Sequence, residues 1–312
     1  MAVAFTSCSK VLDKNDLSAI SEPYVWSDPS LATAFVNNIY LTLPGWNVTL
    51  ADASDEASRS NIWNNGTLTI DEGGAAAYWP YANIRTMNIF MSEVDGPQST
   101  LSEDLRKTLR GQVRFIRAYT YFEMVKRYGG VPLITDAQQI TDDLLVERTS
   151  TKDCFDFILR ELETAAEELP KNYSAADLGR ITRGAALGFR ARVLLFRASP
   201  QFNPSNNATH WQNAYDAGKA ALAYLDEEGY GLMDHYSNAD LFLNEMNKEV
   251  ILAIRYLQPG RTQNRDASVR PIDFTANATG GCHPIQKLVD AFPLKSGKRH
   301  VGMTRHTVEM RL

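Results

Sequence analysis

Residues 111–134 read GQVRFIRAYTYFEMVKRYGGVPLI, and no other stretch limits the possible folds as tightly. Arg114 and Arg117 stand three apart in a run crowded with Phe115, Ile116, Tyr119, Phe122, Met124 and Val125. At 3.6 residues per turn, the arginine pair shares one stripe while aromatic and aliphatic side chains fill the others. A helix this apolar is buried, so its guanidinium groups must be partnered or lie at the edge of the core. Gly129-Gly130 stops the helix, and Val131-Pro132 turns the chain extended.

The same reasoning yields further helices. Asp28-Pro29 opens one with Leu31, Ala34, Phe35, Asn38 and Ile39 on one face, ended by Leu43-Pro44-Gly45-Trp46. Another carries Trp79, Tyr81, Ile84, Met87, Asn88 and Met91, and breaks at Asp95-Gly96-Pro97. Ser102, followed by Glu103 and Asp104, caps the arginine-bearing helix. Thr151-Lys152-Asp153 caps a helix with apolar Phe155, Ile158, Leu159, Leu162, Ala165, Ala166 and Leu169, stopped by Pro170. Small residues Gly184, Ala185, Ala186, Gly188 and Ala191 mark residues 179–199 as a helix that neighbours approach closely. Residues 211–225 follow as another helix, and Val250–Tyr256 reads as a short strand. Residues 9–30 are polar, with Pro23 and Pro29, and read as an extended tether. The fold class is mainly α: helical hairpins stack as in tetratricopeptide-like units, with long irregular loops and no strict repeat.

Composition excludes several function classes. The 312-residue chain carries 32 basic and 37 acidic residues, a net charge of −5, with no basic run to hold a phosphate backbone. No apolar run approaches the roughly 20 residues of a spanning helix. Three cysteines make no disulfide framework; Cys154 reads as a small buried hydrophobe. Phe5-Thr6-Ser7-Cys8 before Ser9-Lys10 resembles a bacterial lipobox, in which Cys8 becomes the lipidated first residue. Met1–Ser7 is too short for a signal peptide, so the expectation is either a start placed too late or a lost leader.

Taken in order, five segments resemble the SusD/RagB family of outer-membrane glycan-capture lipoproteins. Residues 111–134 resemble its arginine–aromatic–GGVPL signature, and Trp79–Arg85 with Asn88 resembles its WxxYxxIRxxN helix. Arg148–Pro170, Gly179–Arg192 and Ile285–Phe292 resemble three later motifs. The resemblance implies a lipid-anchored surface protein that captures oligosaccharide for import through a SusC-like TonB-dependent transporter. Residues 1–30 are then a lipobox remnant and tether, 31–298 an incomplete SusD-like helical domain, and 299–312 a tail without family character. The chain is expected to be the N-terminal part of such a protein.

Glycan capture needs flat apolar faces for sugar C–H groups and planar polar groups for hydroxyls, held on loops. The loop around residues 52–65 supplies Asp55, Arg59, Asn61, Trp63, Asn64 and Asn65 around a turn. The resemblance implies that Trp63 is the stacking platform and Asn64 or Asn65 the hydroxyl partner, with Trp46 a second candidate. Trp79 and Tyr81 sit at helical spacing and read as core, as does Trp211. Arg114, Arg117 and Arg190 are expected to make internal ion pairs or hydrogen bonds to carbonyls.

Catalysis is not expected. Asp52, Asp55 and Glu56 crowd one acidic loop, whereas glycosidase carboxylates face each other across a bond. Nucleophile-elbow, P-loop, zincin and dinucleotide motifs are absent from the sequence. Cys282-His283 with His300 and His306 lacks zinc spacing, so neither metal nor cofactor is expected. The alternative reading is a helical-repeat surface for a protein or peptide partner; a glycoside hydrolase is the third.

Overall fold

Caps written into the sequence set most helix boundaries. A computed structural model describes residues 22–45, 54, 56–58, 66–67, 69, 77–233, 243–257, 259–263, 283–294 and 296–297. They belong to two compact units, one within Met1–Leu43 and Pro80–Ile254, the other within Pro44–Trp79 and Arg255–Leu312.

The first unit begins with a single turn, α1 (Glu22–Val25), followed by α2 (Pro29–Tyr40). Asp28 caps α2: its carboxylate accepts from the backbone N–H of Ser30 at 2.7 Å and of Leu31 at 3.1 Å, with Pro29 in the first turn. This corrects the reading of residues 9–30 as tether alone. Trp26 is buried, its ring 5.2 Å from that of Phe35 and 6.0 Å from that of Phe90. The fully buried positions of α2 are Ala32, Val36 and Ile39, while Ala34 and Asn38 are exposed. The expected face was thus rotated by about one residue, because the size of Phe35 outweighed the smaller residues that pack more deeply.

The next helix, α3 (Tyr81–Glu93), starts at Tyr81 rather than at Trp79. Pro80 explains the difference, since the residue before a proline is steered away from helical geometry. The arginine-bearing helix α4 (Glu103–Tyr128) runs 26 residues. The Ser102 hydroxyl caps it, and Gly129, at φ 71°, ends it in a conformation open to glycine. Then come α5 (Thr151–Glu168), capped by Ser150 and not by Thr151, a 3-10 turn (Ala175–Asp177), α6 (Arg183–Ala198), which starts at Arg183 and not at residue 179, and α7 (Ala208–Glu227).

Partner positions show how these helices stack. Arg110 and Arg114 reach Glu168 while Arg117 reaches Glu161, so α4 and α5 run antiparallel. Arg190 pairs with Glu163 and Arg197 with Asp156, so α5 and α6 do likewise. Gly184, near the start of α6, faces Leu225, near the end of α7. Each helix packs on its predecessor and successor, as helical-repeat hairpins do. Aromatic pairs fill the seams, with ring centroids 5.4 Å apart for Phe122–Phe189, 5.3 Å for Phe122–Phe196 and 5.2 Å for Phe155–Phe202. Gly184, Ala185 and Ala186 are buried as expected, whereas Gly188 faces open space. Cys154 is buried, as its apolar neighbours implied.

In the second unit, β1 (Ala57–Ser58) pairs antiparallel with β2 (His283–Pro284), and α8 (Gln286–Ala291) follows. The strand expected at Val250–Tyr256 is not formed: Leu257 makes an isolated bridge with Arg261, and residues 250–256 join no ladder among the described residues. β-branched and aromatic composition favours extended backbone, but a strand also needs a neighbour.

Candidate functional site

The residues expected to contact glycan, Trp46, Asp55, Arg59, Asn61, Trp63, Asn64 and Asn65, lie outside the described residues, as does Cys8. The frame around them is described. The Ser54 hydroxyl accepts from the Glu56 N–H at 3.1 Å, and the Glu56 carbonyl accepts from the Ile285 N–H at 3.0 Å. The pairing of Ala57 with Pro284 and of Ser58 with His283 extends that anchor, and Ala57 is buried. Gly66, at φ 66°, turns the chain beyond the loop, with nothing within 4 Å of where a Cβ would stand. The stem preceding the candidate loop is therefore tied to the chain that leads into α8.

The arginines of α4 serve structure, as expected. Arg117, 5% exposed, sends Nε to Glu161 at 2.9 Å, Nη2 to the same carboxylate at 2.6 Å, and Nη1 to the Asn88 side-chain Oδ1 at 2.9 Å. Arg114 bridges Glu161 at 2.8 Å and Glu168 at 3.0 Å, and Arg110 bridges Glu168 at 3.0 Å and Asp95 at 2.5 Å. Arg190 lies 3.6 Å from Glu163. The Asn88 amide passes the network onward, donating to the carbonyls of Ile134 at 2.9 Å and Asp136 at 3.1 Å. Buried charges need such partners, and these pairs lock α3, α4 and α5 in one register.

Buried tyrosines complete the polar framework. Tyr121 donates to the Ile134 carbonyl at 2.8 Å and accepts from its N–H at 2.9 Å. Burial pushes its phenol up to about 12. Burial likewise holds Tyr40 and Tyr81 well above the ordinary tyrosine range. Tyr81 donates to the Pro132 carbonyl at 2.7 Å, and Tyr40 accepts from the Ile181 N–H at 3.0 Å.

Two tryptophans depart from expectation. Trp79 is 54% exposed, because it precedes α3 and follows no helical stripe. Trp211 is 40% exposed, its indole N–H donating to Asn206 at 2.8 Å. One turn further on, Tyr215 is 63% exposed. The four-residue spacing of Trp211 and Tyr215 shows that they share a face; only packing shows that this face of α7 lies outward.

The family model described as starch-binding and associating with the outer membrane matches residues 14–195, more than half of the chain. The chain belongs to the SusD-like family. A SusD-like protein of Bacteroides ovatus is 28% identical over 222 residues, covering 68% of this chain and 38% of that protein. SusD-like protein P2 of Formosa agariphila is 29% identical over 217 residues, covering 58% of this chain and 41% of its own. The chain thus spans less than half the length of these curated relatives. A SusD-like crystal structure from Bacteroides fragilis superposes with a TM-score of 0.72 at 28% identity, covering 92% of this chain and 57% of that one. A laminarin-binding SusD-like protein shares the fold, with a TM-score of 0.56 at 22% identity over 73% of this chain and 51% of that one.

Proposed function

We propose that this SusD-like protein captures oligosaccharide at the bacterial outer membrane, held there by a lipid on Cys8, and passes it to a SusC-like TonB-dependent transporter. The match of residues 14–195 to a starch-binding, outer-membrane-associated family carries this reading. In it the protein binds and does not catalyse. Residues 1–21 form the anchor and tether, 22–298 the family region and 299–312 a tail.

The site belongs to the loop whose stem is tied to the chain before α8. Trp63 stacks on a sugar face, Asn64 and Asn65 meet hydroxyls, and Asp55, Arg59 and Trp46 border them. Aromatic surface gives contact area at low entropic cost, which suits weakly polar C–H faces. Titrating soluble protein that begins after Cys8 with a glycan panel, read by tryptophan fluorescence, tests this. Saturable binding that falls at least tenfold in Trp63→Ala, with unchanged circular dichroism, is expected. A folded wild type that binds no glycan in the panel would falsify the reading.

The face of α7 favours a second reading. Tyr215 and Leu222, 63% and 64% exposed, border an open groove of about 590 Å³ around Gly218, and the exposed Trp211 stands one turn before Tyr215 on the same helix. An apolar seam at helical spacing suits a partner helix. A helix-forming protein partner would be retained by wild type and lost by Tyr215→Glu, while glycan binding would be unaffected.

A further inference from the structure

The outer face of α7 carries its side chains in a definite order around the helix. At about 100° per residue, and with Gly218 as the origin, Trp211, Leu222 and Tyr215 fall within about 60° on one side. Asp226 and Lys219 come next, at about 80° and 100°. The buried residues Ala214, Ala221 and Leu225 lie on the other side of Gly218. The exposed face is therefore an apolar stripe that ends in a charged edge. Gly218 sits at the floor of the groove, with nothing within 4 Å of where a Cβ would stand, and Tyr215, Leu222, Lys219 and Asp226 line it.

Lys219 and Asp226 are exposed, and neither side chain makes an ion pair or hydrogen bond among the described residues. They stand two turns, or about 10.5 Å, apart on the same edge, too far to pair with each other. Opposite charges spaced this way beside an apolar stripe complement the same helix run in reverse.

Two-fold symmetry makes that complementarity explicit. In an antiparallel pair, residues equidistant from the axis lie opposite each other. The axis stands perpendicular to both helices, so the charged edges of the two copies lie on the same side of the pair. An axis between Leu222 and Ala223 sets Lys219 against Asp226 of the partner subunit, and Asp226 against the partner subunit's Lys219. It also sets Leu222 against Ala223 of the partner subunit, so the two leucines flank the axis and cover each other. Tyr215 then lies at the C-terminal end of the partner helix. A crossing centred on Gly218 allows closer backbones, but it sets the two copies of Lys219 side by side. A parallel pair sets lysine against lysine and aspartate against aspartate. Like charges facing across an interface suppress a pairing, so the antiparallel register centred by Leu222 is the one the charges favour.

We propose that the outer face of α7 binds a second copy of this chain, α7 against antiparallel α7, with Leu222 at the axis and two Lys219–Asp226 ion pairs. The proposal rests on the reading of this face as a seat for a partner helix and names that helix. One helix pair buries area at the small end of specific interfaces, so the dimer is reversible and depends on concentration.

Sedimentation velocity of the 312-residue chain over a range of concentrations tests it. Wild type is expected to pass from monomer to dimer, and Leu222→Glu to stay monomeric. Lys219→Glu and Asp226→Lys are each expected to weaken the dimer about tenfold, because each replaces two attractions with two repulsions. The double variant Lys219→Glu/Asp226→Lys restores opposite charges and is expected to recover wild-type association. These positions are exposed, so every variant is expected to keep the circular dichroism of wild type. A dimer that persists in Leu222→Glu overturns the proposal, because the contact then lies elsewhere. Single charge variants that associate like wild type, or a double variant that does not recover, overturn it as well. A wild type that is monomeric at every concentration also overturns it. In that case a different helix-forming partner, retained by wild type and lost in Tyr215→Glu, leaves the broader reading of the face standing; with no such partner that reading falls too.

Discussion

Glu161 is 6% exposed and accepts from both Arg114 and Arg117, so its one charge is shared between two guanidinium groups, with Glu168 as the second partner of Arg114. Removing one member of a buried pair strands the others, a loss of about 3–5 kcal/mol. Glu161→Ala is expected to lower the urea midpoint of unfolding accordingly. Glu103→Ala removes partners of Arg106 and Arg110 from a side chain 62% exposed, and is expected to cost no more than about 1 kcal/mol. Equal losses in the two variants would show that burial is not what gives the network its strength. The tyrosines make a second prediction at this scale. The Tyr121 phenol, raised by burial from 10.0 to about 12, keeps its proton at pH values where an unfolded tyrosine loses it. The folded state then binds more protons than the unfolded one. Stability from this group is complete below pH 10.0 and lost as pH rises toward 12. An alkaline titration is expected to show tyrosinate absorbance rising late, together with loss of helical circular dichroism. Tyr173, also pushed up to about 12 by burial, shares that window.

Helices are joined here by close backbone approaches that particular glycines permit. A Cβ on Gly130 would lie 2.1 Å from the Thr149 carbonyl oxygen, a backbone atom that cannot step aside cheaply. Gly130→Ala is expected to cost roughly 1–3 kcal/mol, because it pushes the exit of α4 away from the entry of α5. Gly188 lies inside α6 and faces open space. There Ala gains helix propensity without a clash, and Gly188→Ala is expected to stabilise by about 1 kcal/mol. Thermal melts of the two variants should move in opposite directions. Both glycines look alike as letters in a helix-rich chain. Their difference belongs to what the neighbouring segment brings against them.

The first unit gathers its core from two stretches of chain. α1 and α2 precede residues 44–79, and the remaining helices follow them. Trp26, Val36 and Ile39 are buried against a core that includes Phe90, so the early stretch is part of the helical stack. Val36 and Ile39 contribute roughly 1.5–3 kcal/mol each by burial, and Trp26 adds more. Whole domains are stable by only about 5–15 kcal/mol. A chain that begins at Pro80 is therefore expected to melt far below the full chain, or not to fold, when followed by circular dichroism. An unchanged melting temperature would show that α1 and α2 contribute nothing to the unit.

Local signals were sufficient for the helices. The Asp28 and Ser102 caps, the Gly129 stop and the apolar stripes of α4 and α5 act within a few residues, and each is where the sequence places it. The need for partners on Arg114 and Arg117 was also legible, since a charge inside an apolar helix admits few alternatives. Their identity was not, because Glu161 and Glu168 lie on another helix and meet the arginines only when α5 packs antiparallel. The same limit applied to Trp79 and Trp211, whose spacing suggested core although packing leaves both at the surface. It applied to Val250–Tyr256, which has strand composition and no strand beside it. Sequence by itself determined the long helices, several of their ends and the family. Tertiary structure decided which faces are buried, which charges meet and which polar groups converge, because these depend on contacts between segments that local spacing does not encode.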